Sequence, residues 1–504
     1  MGSARWLLTG SAMLATLLYT IDATIVNVAL PHIQGSLSAT QDQAAWIVTS
    51  YIVVSAIATP LAGWLGTRYG LRRILVGGII GFTLGSMLCG LATGLTEMVV
   101  FRVLQGAFGA ALVPLSQVLL LQEFPREQHG RIMALWGMGV LVGPVIGPTL
   151  GGWLTDTLSW RWAFYINLPV GVIATFGTLA AMPKSTADRR RPFDLTGFVL
   201  LSLALGLFQL LLDRGQTMDW FESGEIVAEA LLAALALYMF AVHALTSRHP
   251  FVDLKLFRDR NFTLSLGVMF AIGLTVISPT VLLPNFLQQL QGYSPTQAGV
   301  LIAVRGVAAV VAMMVAGRLI GRVDLRVLMA TGVSAAAVSL VMMAGFSLDT
   351  PAHVVVLAGL IQGLGAPLTF VPLSVAAFAT LPDSGRSEAG ALLTLIRNIG
   401  GSVGISMVVA LLQRSTQTNR AYLAEHFTLY ATGRWEALGA LPAADPGTAR
   451  LVGELGRQAG AIGYANDFYL LGALTLLALP LVLVLRMRRA PSASAAAVPA
   501  DAGH

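Results

Sequence analysis

Residues 134–153 read ALWGMGVLVGPVIGPTLGGW, a stretch with no charged residue and a glycine at every fourth position. Residues four apart lie on one face of an α-helix, so these glycines form a stripe without side chains. In a membrane such a stripe lets a second helix approach closely. The stretch therefore predicts a membrane-spanning helix with a tightly packed neighbour, kinked at Pro144 and Pro148. The glycines of the stripe are Gly139, Gly143, Gly147 and Gly151.

The composition of the whole chain is that of a membrane protein. The 504 residues are 56% hydrophobic and 11% charged, with a mean hydropathy of +0.75, which excludes an ordinary soluble protein. A spanning helix needs about 20 apolar residues, and fourteen stretches qualify. The predicted spans are 6–30, 44–66, 74–93, 97–121, 132–154, 162–182, 194–213, 225–246, 262–287, 297–317, 327–346, 352–379, 388–412 and 466–485.

The positive charges predict the orientation of these spans. Of the 31 lysines and arginines, 21 lie between spans on the side that holds the N terminus. Short cytoplasmic loops retain positive charge, so we expect a multi-pass membrane protein with both termini in the cytoplasm. The net charge of +6 then follows from topology and requires no nucleic-acid partner. Membrane lipids are its expected surroundings.

Two pairs of similar segments indicate an internal repeat. GWLGTRYGLR (63–72) follows the second span and GRLIGRVDLR (317–326) follows the tenth, at a separation of 254 residues. QGAFGAALVPLS (105–116) is similar to QGLGAPLTFVPLS (362–374), at a separation of 257 to 258. Many transporters consist of two related halves around a site at the membrane midplane.

The repeat predicts an all-α polytopic membrane protein with two six-helix bundles and two helices inserted between them. The predicted divisions are a first bundle at 1–183, a linker with the two inserted helices at 184–261, and a second bundle at 262–487. The second bundle includes an outer segment at 414–464. Residues 488–504, rich in Ala, Ser and Pro, are expected to be a disordered cytoplasmic tail.

Asp22 is the carboxylate that the predicted spans place deep in the membrane. Burying an acid there costs about 2.5 to 3.5 kcal/mol on insertion scales, and such acids carry protons or ions in many transporters. At about 1.5 Å of rise per residue, Arg102 in the fourth span lies at a similar depth. We therefore expect Asp22 to interact with Arg102, directly or through Gln105 or water, as a proton-linked switch. The alternative is a purely structural ion pair.

Further polar residues within spans are candidates for a substrate cavity. Arg305 and Arg397 lie in the tenth and thirteenth spans, and neither has an acid at matching depth. Either they bind carbonyl groups at helix ends, or they face a central aqueous cavity. In the second case a positive cavity favours neutral or weakly acidic lipophilic cargo. The full set of cavity candidates is Asn27, Gln105, Arg305, Gln362, Arg397 and Asn398.

The repeated segments after the second and tenth spans suggest a cytoplasmic gate, since arginines at helix ends can cap carbonyls or pair with acids in one conformation only. The alternative is that their arginines set topology alone. The candidate gate residues are Gly63, Arg68, Gly70, Arg72, Arg73, Gly317, Arg322, Asp324 and Arg326. The glycine stripe of the fifth span has two similar interpretations: a smooth interface on which the two halves rock, or ordinary tight packing.

These stretches also resemble a known family. DATIVNVALP (22–31), FRVLQGAFGAA (101–111) and GVLVGPVIGPTLGG (139–152) resemble signatures of the major facilitator superfamily, in particular its fourteen-helix drug:proton antiporters of the EmrB/QacA type. SWRWAFYINLPVG (159–171) and FLQQLQGYSPTQAG (286–299) are further resemblances. The third stretch is similar to the antiporter motif, which here comprises Gly139, Gly143, Pro144, Gly147, Pro148, Gly151 and Gly152.

The resemblance implies a pump of the inner membrane that expels lipophilic compounds in exchange for protons, with Asp22 and Arg102 in the proton-linked positions. One departure is visible, because the loop after the second span has Gly66 and Thr67 where the family usually has an acid. In some relatives such a pump passes its cargo to a periplasmic adaptor and an outer-membrane channel. The natural docking candidate here is 414–464, in which 447–461 forms either a helix on the membrane surface or part of a plain loop.

Other functional classes have little support in the sequence. It contains no metal-ligand spacing, phosphate-binding loop or dinucleotide fingerprint, so we expect neither an enzyme nor an ATP-driven pump. No cofactor is expected, and the proton serves as coupling ion. Three alternatives stay open: a dedicated exporter of one metabolite such as an antibiotic or siderophore, an uptake symporter, and a sensor without transport activity.

Overall fold

The computed structural model describes residues 3–182, 192–382, 385–425 and 446–485. The predicted linker residues 184–191, the middle of the outer segment (426–445) and the tail 488–504 lie outside the described residues. Fourteen helices run through the described part. They are α1 (Ser3–Ser36), α2 (Gln41–Tyr69), α3 (Leu71–Leu91), α4 (Leu95–Glu123), α5 (His129–Thr157), α6 (Trp162–Ala181), α7 (Leu195–Arg214), α8 (Gly224–Thr246), α9 (Arg260–Leu290), α10 (Pro295–Leu319), α11 (Leu325–Ala344), α12 (Ala352–Phe378), α13 (Arg386–Glu425) and α14 (Pro446–Val484).

These helices confirm the predicted fold class. Among the described residues, thirteen helices are long and apolar enough to cross a membrane. The remaining predicted span lies in α5, a continuous helix of 29 residues. Short breaks divide α4 after Gly109, α6 at Ile166 and α9 at Ser278.

Equivalent helices of the two halves begin in the same way. Thr40 and Ser294 each cap a helix N-terminus, at α2 and α10, and are 254 residues apart, the spacing of the sequence repeat. Each side-chain oxygen accepts a bond from the backbone N–H three residues on. The side-chain oxygen of the glutamine there, Gln43 or Gln297, accepts a bond from the backbone N–H of the cap residue. This reciprocal cap satisfies backbone groups that the helix start leaves free, so the repeat preserves local structure as well as sequence.

The same repeat appears in the packing of helices within each half. A Cβ atom at Gly106 of α4 would lie 2.7 Å from the carbonyl oxygen of Tyr51 in α2. At Gly363 of α12 it would collide with the carbonyl oxygen of Arg305 in α10. In both halves a glycine therefore lets two helix backbones approach closely.

The two inserted helices pack on each other and lie over the seam between the bundles. α7 contacts α2 of the first bundle and α13 of the second. Thr49 of α2 donates a hydrogen bond to Asp213 of α7, and Ser406 of α13 donates one to the carbonyl oxygen of Leu212, at 2.7 Å. The insertion thus touches both halves through adjacent residues of one helix.

The bundles meet at the end of the molecule where α1 begins, which we call the arginine-rich end because its connecting segments hold most of the positive charges. A Cβ atom at Gly63 of α2 would lie 2.9 Å from the Cβ atom of Ala391 in α13, and one at Gly317 of α10 would lie 2.8 Å from that of Ala134 in α5. Trp136 of α5 stacks on Phe370 of α12 with ring centroids 6.0 Å apart. The bundles are therefore closed against each other at this end.

The glycine stripe of α5 packs on α1 of its own bundle. Added Cβ atoms at Gly143 and Gly147 would collide with the hydroxyl oxygens of Thr20 and Thr24, and Thr20 also donates a hydrogen bond to the carbonyl oxygen of Gly139, at 3.2 Å. The interpretation of the stripe as the rocking interface between halves was wrong. Threonines at matching intervals on α1 fill the stripe, so it cannot also receive the second bundle.

A different face of α5 meets the second bundle. Added Cβ atoms at Gly130 and Gly137 would contact the side chains of Ile320, which follows α10, and of Met313 within α10. These glycines lie toward the start of the helix, at the arginine-rich end. The helix therefore uses one set of small residues within its bundle and another set between bundles.

The helices that flank the predicted outer segment are longer than expected. α13 has 40 residues and α14 has 39, so each is about 60 Å long, twice the thickness of a hydrocarbon core of about 30 Å. Residues 447–461 are continuous with the last span, so both predicted alternatives, a separate surface helix and a plain loop, were wrong. The two helices contact each other where the extension begins, since Asn466 donates to Ser415 at 3.0 Å and Gly463 packs on Leu412.

The glycine stripe yields a test of packing. Gly143→Ala forces a methyl group against Thr20, whereas Gly152→Ala is the matched control because its Cβ would meet Val28 at an ordinary 3.8 Å. We expect Gly143→Ala to lower the free energy of unfolding by about 1 to 3 kcal/mol and Gly152→Ala to leave it near wild type. Thermal unfolding of the detergent-solubilised protein, followed by labelling of the buried Cys89, measures both. Equal unfolding midpoints for the two variants would contradict this packing.

Candidate functional site

A buried ion pair lies at the centre of the first bundle. Nη1 of Arg102 in α4 is 2.7 Å from Oδ2 of Asp22 in α1, and the two side chains are 1% and 0% exposed. Of the arrangements that the sequence left open, the structure has the direct contact. Their proposed part in proton coupling remains a prediction.

Further donors complete the shell around the Asp22 carboxylate. Gln105 Nε2 and Asn167 Nδ2 both donate to Oδ1, at 2.8 and 3.1 Å. Arg102 also donates from Nη1 to Gln105 Oε1 at 2.8 Å and from Nε to the carbonyl oxygen of Ile47 at 3.1 Å. The ionised form of Asp22 thus receives three donors, which is the condition for burying a charge at tolerable cost.

The backbone places these groups through helix spacing and small residues. Arg102 and Gln105 are three residues apart in α4 and therefore lie on the same face. Gly85 of α3 lies against Gln105, because a Cβ there would be 3.1 Å from the Gln105 Cα. A second hydrogen bond positions Asn167 of α6, because its Nδ2 also donates to Ser86 Oγ of α3 at 2.9 Å.

Two tyrosines extend the site toward the second bundle. The guanidinium carbon of Arg102 lies 4.0 Å from the ring centroid of Tyr51, a distance that allows a cation–π interaction. The Tyr51 and Tyr19 rings are 5.9 Å apart. Tyr19 in turn lies within electrostatic range of Arg397 in α13. Polar and aromatic groups therefore extend from the ion pair toward the other half.

Sequence reasoning missed Asn167, Ser86, Tyr51 and Tyr19 as members of this site. Asn167 carried a usable signal, since it is an amide within the sixth predicted span. The tyrosines carried none, because an aromatic ring in an apolar helix looks the same whether it faces lipid, core or an arginine.

Arg305 and Arg397 have different surroundings. Arg305 Nη2 donates to the carbonyl oxygen of Val276 at 3.0 Å, next to the break in α9, which is the helix-end alternative for this residue. Arg397 is half-buried and faces Tyr19. Within the described part of the chain, neither forms an ion pair with an acid.

The remaining cavity candidates separate into two groups. Gln105 belongs to the Asp22 network, and Asn398 lies at its far end beside Arg397. Asn27 is exposed on α1, and Gln362 is buried in α12 with no described partner for its Oε1. The structure therefore does not bring Asn27 and Gln362 to the ion pair.

The predicted gate residues lie at the arginine-rich end. Gly63 and Gly317 touch the opposite bundle, as described above. Gly70 has a φ of 93°, a conformation that favours glycine at the turn between α2 and α3. The guanidinium carbon of Arg68 lies 5.1 Å from the Trp64 ring centroid, and Arg72 donates a hydrogen bond to the carbonyl oxygen of Leu179. Asp324 accepts a hydrogen bond from the backbone N–H of Arg326 at the start of α11. Arg73 and Arg322 are exposed.

The ion pair gives a thermodynamic prediction. Arg102→Met leaves Asp22 buried without its cation and should cost about 3 to 5 kcal/mol of stability. Adding Asp22→Asn removes the unpaired charge, so the double variant should recover at least about 1 kcal/mol relative to the sum of the singles. Asp22→Asn combined with Arg305→Met is the control, because these residues share no partner and should be additive. Additive losses in both cycles would rule out the coupling.

Known proteins resemble this chain over nearly its whole length. The fatty acid resistance protein FarB of Neisseria gonorrhoeae is 35% identical over 487 residues, 95% of each chain. The multidrug export protein EmrB of Haemophilus influenzae is 33% identical over 96% of each chain, and EmrB of Escherichia coli K12 is 34% identical over 84% of this chain and 83% of its own.

Solved structures agree on the fold. The proton:xylose symporter XylE matches with a TM-score of 0.63 at 14% identity, over 95% of each chain. The human organic anion transporter TETRAN matches with a TM-score of 0.63 at 12% identity, over 96% of this chain and all of the other. The sequence model of the Major Facilitator Superfamily matches residues 12–405. The chain belongs to the major facilitator superfamily, within the branch of its EmrB-like members.

Proposed function

We propose that this protein is a proton-coupled multidrug efflux antiporter that exports lipophilic compounds by alternating access. The observation that carries the proposal is the fully buried Asp22–Arg102 pair, a titratable acid held by a network that reaches the second bundle. Relatives named as multidrug export proteins support the direction and breadth of transport.

The orientation follows from the charges. Because positive loops stay in the cytoplasm, the arginine-rich end and both termini are cytoplasmic in this proposal, and the membrane is the bacterial inner membrane. The packing of Gly63 on α13 and of Gly317 on α5 then closes the cytoplasmic side. The conformation described corresponds to a transporter that is shut toward the cytoplasm.

Protonation of Asp22 changes the balance of this network. A neutral carboxyl group no longer offsets the charge of Arg102, and an uncompensated buried charge is costly. Another position of the Arg102 side chain then becomes lower in free energy. Moving there changes its contact with the Tyr51 ring and the link through Tyr19 to Arg397. A proton from the outside thereby favours the return to the state open to the cytoplasm, where cargo enters and the proton leaves.

The proton gradient is sufficient for concentrative export. Each tenfold ratio of proton concentration is worth about 1.4 kcal/mol per proton, and each 100 mV of membrane potential about 2.3 kcal/mol per charge. One proton per cycle therefore sustains a gradient of roughly a hundredfold for a neutral compound.

A dedicated exporter of one amphipathic acid is the second candidate. It is favoured by the FarB relative, named for fatty acid resistance, and by two arginines within the spans, Arg305 and Arg397, that have no acidic partner among the described residues. A single cargo would distinguish it from the multidrug proposal.

A periplasmic adaptor is the proposed protein partner. α13 and α14 continue together past the length needed to cross a bilayer, and they project from the end opposite the arginine-rich end. This paired extension offers a rigid surface for such a partner. An outer-membrane channel would complete the route in a bacterium with two membranes.

Reconstituted vesicles test the function. With a pH gradient imposed, several unrelated lipophilic compounds should each drive proton movement through wild-type protein, and Asp22→Asn should abolish it because its side chain cannot ionise. Asp156→Asn, which alters an exposed acid of α5, is the matched control and should behave as wild type. Proton movement in Asp22→Asn at the wild-type rate would remove Asp22 from the coupling site, and a response to one acid alone would favour the dedicated exporter.

A further inference from the structure

A second carboxylate is buried in the half of the protein that lacks the ion pair. Asp467 of α14 is 1% exposed, and its Oδ2 atom has no hydrogen-bond partner among the described residues. Asp22, in contrast, receives three donors. Asp22 and Asp467 are therefore in opposite situations, because the Asp22 carboxylate receives three donors and Oδ2 of Asp467 has none among the described residues.

The surroundings of Asp467 are apolar. Phe468 and Leu471 of the same helix are fully buried, and the Tyr464 ring packs edge-on against Phe286 of α9 with centroids 5.4 Å apart. These side chains belong to the apolar cluster formed by helices α9 to α14. Among the described residues, no lysine or arginine forms an ion pair with Asp467 as Arg102 does with Asp22.

The titratable groups near Asp467 are few. Tyr464, one turn earlier on α14, interacts with it electrostatically. Within the described parts of α9, α11 and α13, which pack on α14, no charged side chain interacts with Asp467. Arg457, about ten residues away along α14, is directed to Glu454 and the carbonyl oxygen of Leu290.

Asp467 lies close to the end opposite the arginine-rich end. It is 17 residues from the end of α14 at Val484, or about 25 Å along the helix, which is most of a hydrocarbon core of about 30 Å. The adjacent Asn466 bonds to Ser415 of α13, beyond the predicted end of that span at residue 412. The carboxyl group is thus inside the protein but near the aqueous boundary.

An unpaired carboxylate in such a site is unstable as an ion. Removing an ion from water costs several kcal/mol even after the protein relaxes, and a buried group without a partner becomes neutral instead. We propose that Asp467 is a second proton-binding site, which carries a proton in the conformation described here and exchanges it with the solution at the opposite end from the arginine-rich end. Asp467 shares no described contact with the Asp22 network.

Infrared spectroscopy of the protein in lipid bilayers tests the proposal directly. At neutral pH the wild type should show the C=O stretching band of a protonated carboxyl group, with a small shift in heavy water. Asp467→Asn, which keeps the shape of the neutral side chain, should lose that band. Asp349→Asn, which alters an exposed acid at the same end of the second bundle, should keep it.

Two results would overturn the proposal. A protonated-carboxyl band with the same position and intensity in wild type and in Asp467→Asn would show that Asp467 is ionised. A carboxylate band that is absent in Asp467→Asn and shifts when sodium replaces choline in wild type would show that a metal cation, not a proton, occupies the site. Neither readout involves transport, so the outcome is separate from that of the antiporter proposal, and Asp22→Asn serves as a second control that should retain the band.

Discussion

The buried pair of Asp22 and Arg102 is the constraint around which the first bundle is arranged. Two opposite charges removed from water are stable only if their geometry is good and their remaining donors and acceptors are satisfied. Five helices meet this requirement. α1 supplies Asp22, α4 supplies Arg102 and Gln105, and α2 supplies the Ile47 carbonyl group and the Tyr51 ring. α6 supplies Asn167, which also donates a hydrogen bond to Ser86 of α3. The same requirement explains the glycines at the helix contacts, such as Gly85 and Gly106. Larger side chains there would hold the helices apart and keep the charged and polar groups from reaching each other.

The second bundle keeps the framework of the first without its ion pair. At the repeat spacings of 254 and 257 residues, Gln105 corresponds to Gln362, Tyr51 to Arg305 and Arg102 to Gly359. The close contact of Gly106 with α2 recurs at Gly363 with α10, whereas Arg305 binds a backbone carbonyl and Gln362 keeps an unpartnered oxygen. A duplicated scaffold thus carries a coupled acid and base in one half and isolated polar groups in the other.

Much of this arrangement could be predicted from sequence, and the failures have a common cause. Hydrophobic length gave the spans, and helix rise placed Asp22 and Arg102 at one depth, because both depend on distance along a single helix. The helix that packs on the glycine stripe was predicted wrongly, and Tyr51 and Tyr19 were missed. Both failures have one cause: where a helix is apolar on every side, its sequence pattern does not reveal which face meets which neighbouring helix. Asp467 was overlooked because its span was taken to begin at residue 466, whereas α14 begins twenty residues earlier and buries it.

The central claim is that the protonation state of Asp22 sets the relative position of the bundles. The most direct test measures the distance between spin labels at Thr157 in the first bundle and Asp349 in the second, both exposed at the end opposite the arginine-rich end, in a Cys89→Ser background. Lowering the pH should shift the wild-type distances to shorter values as that end closes, and in Asp22→Asn the distribution should not respond to pH. An equal pH-dependent shift in Asp22→Asn would contradict the account.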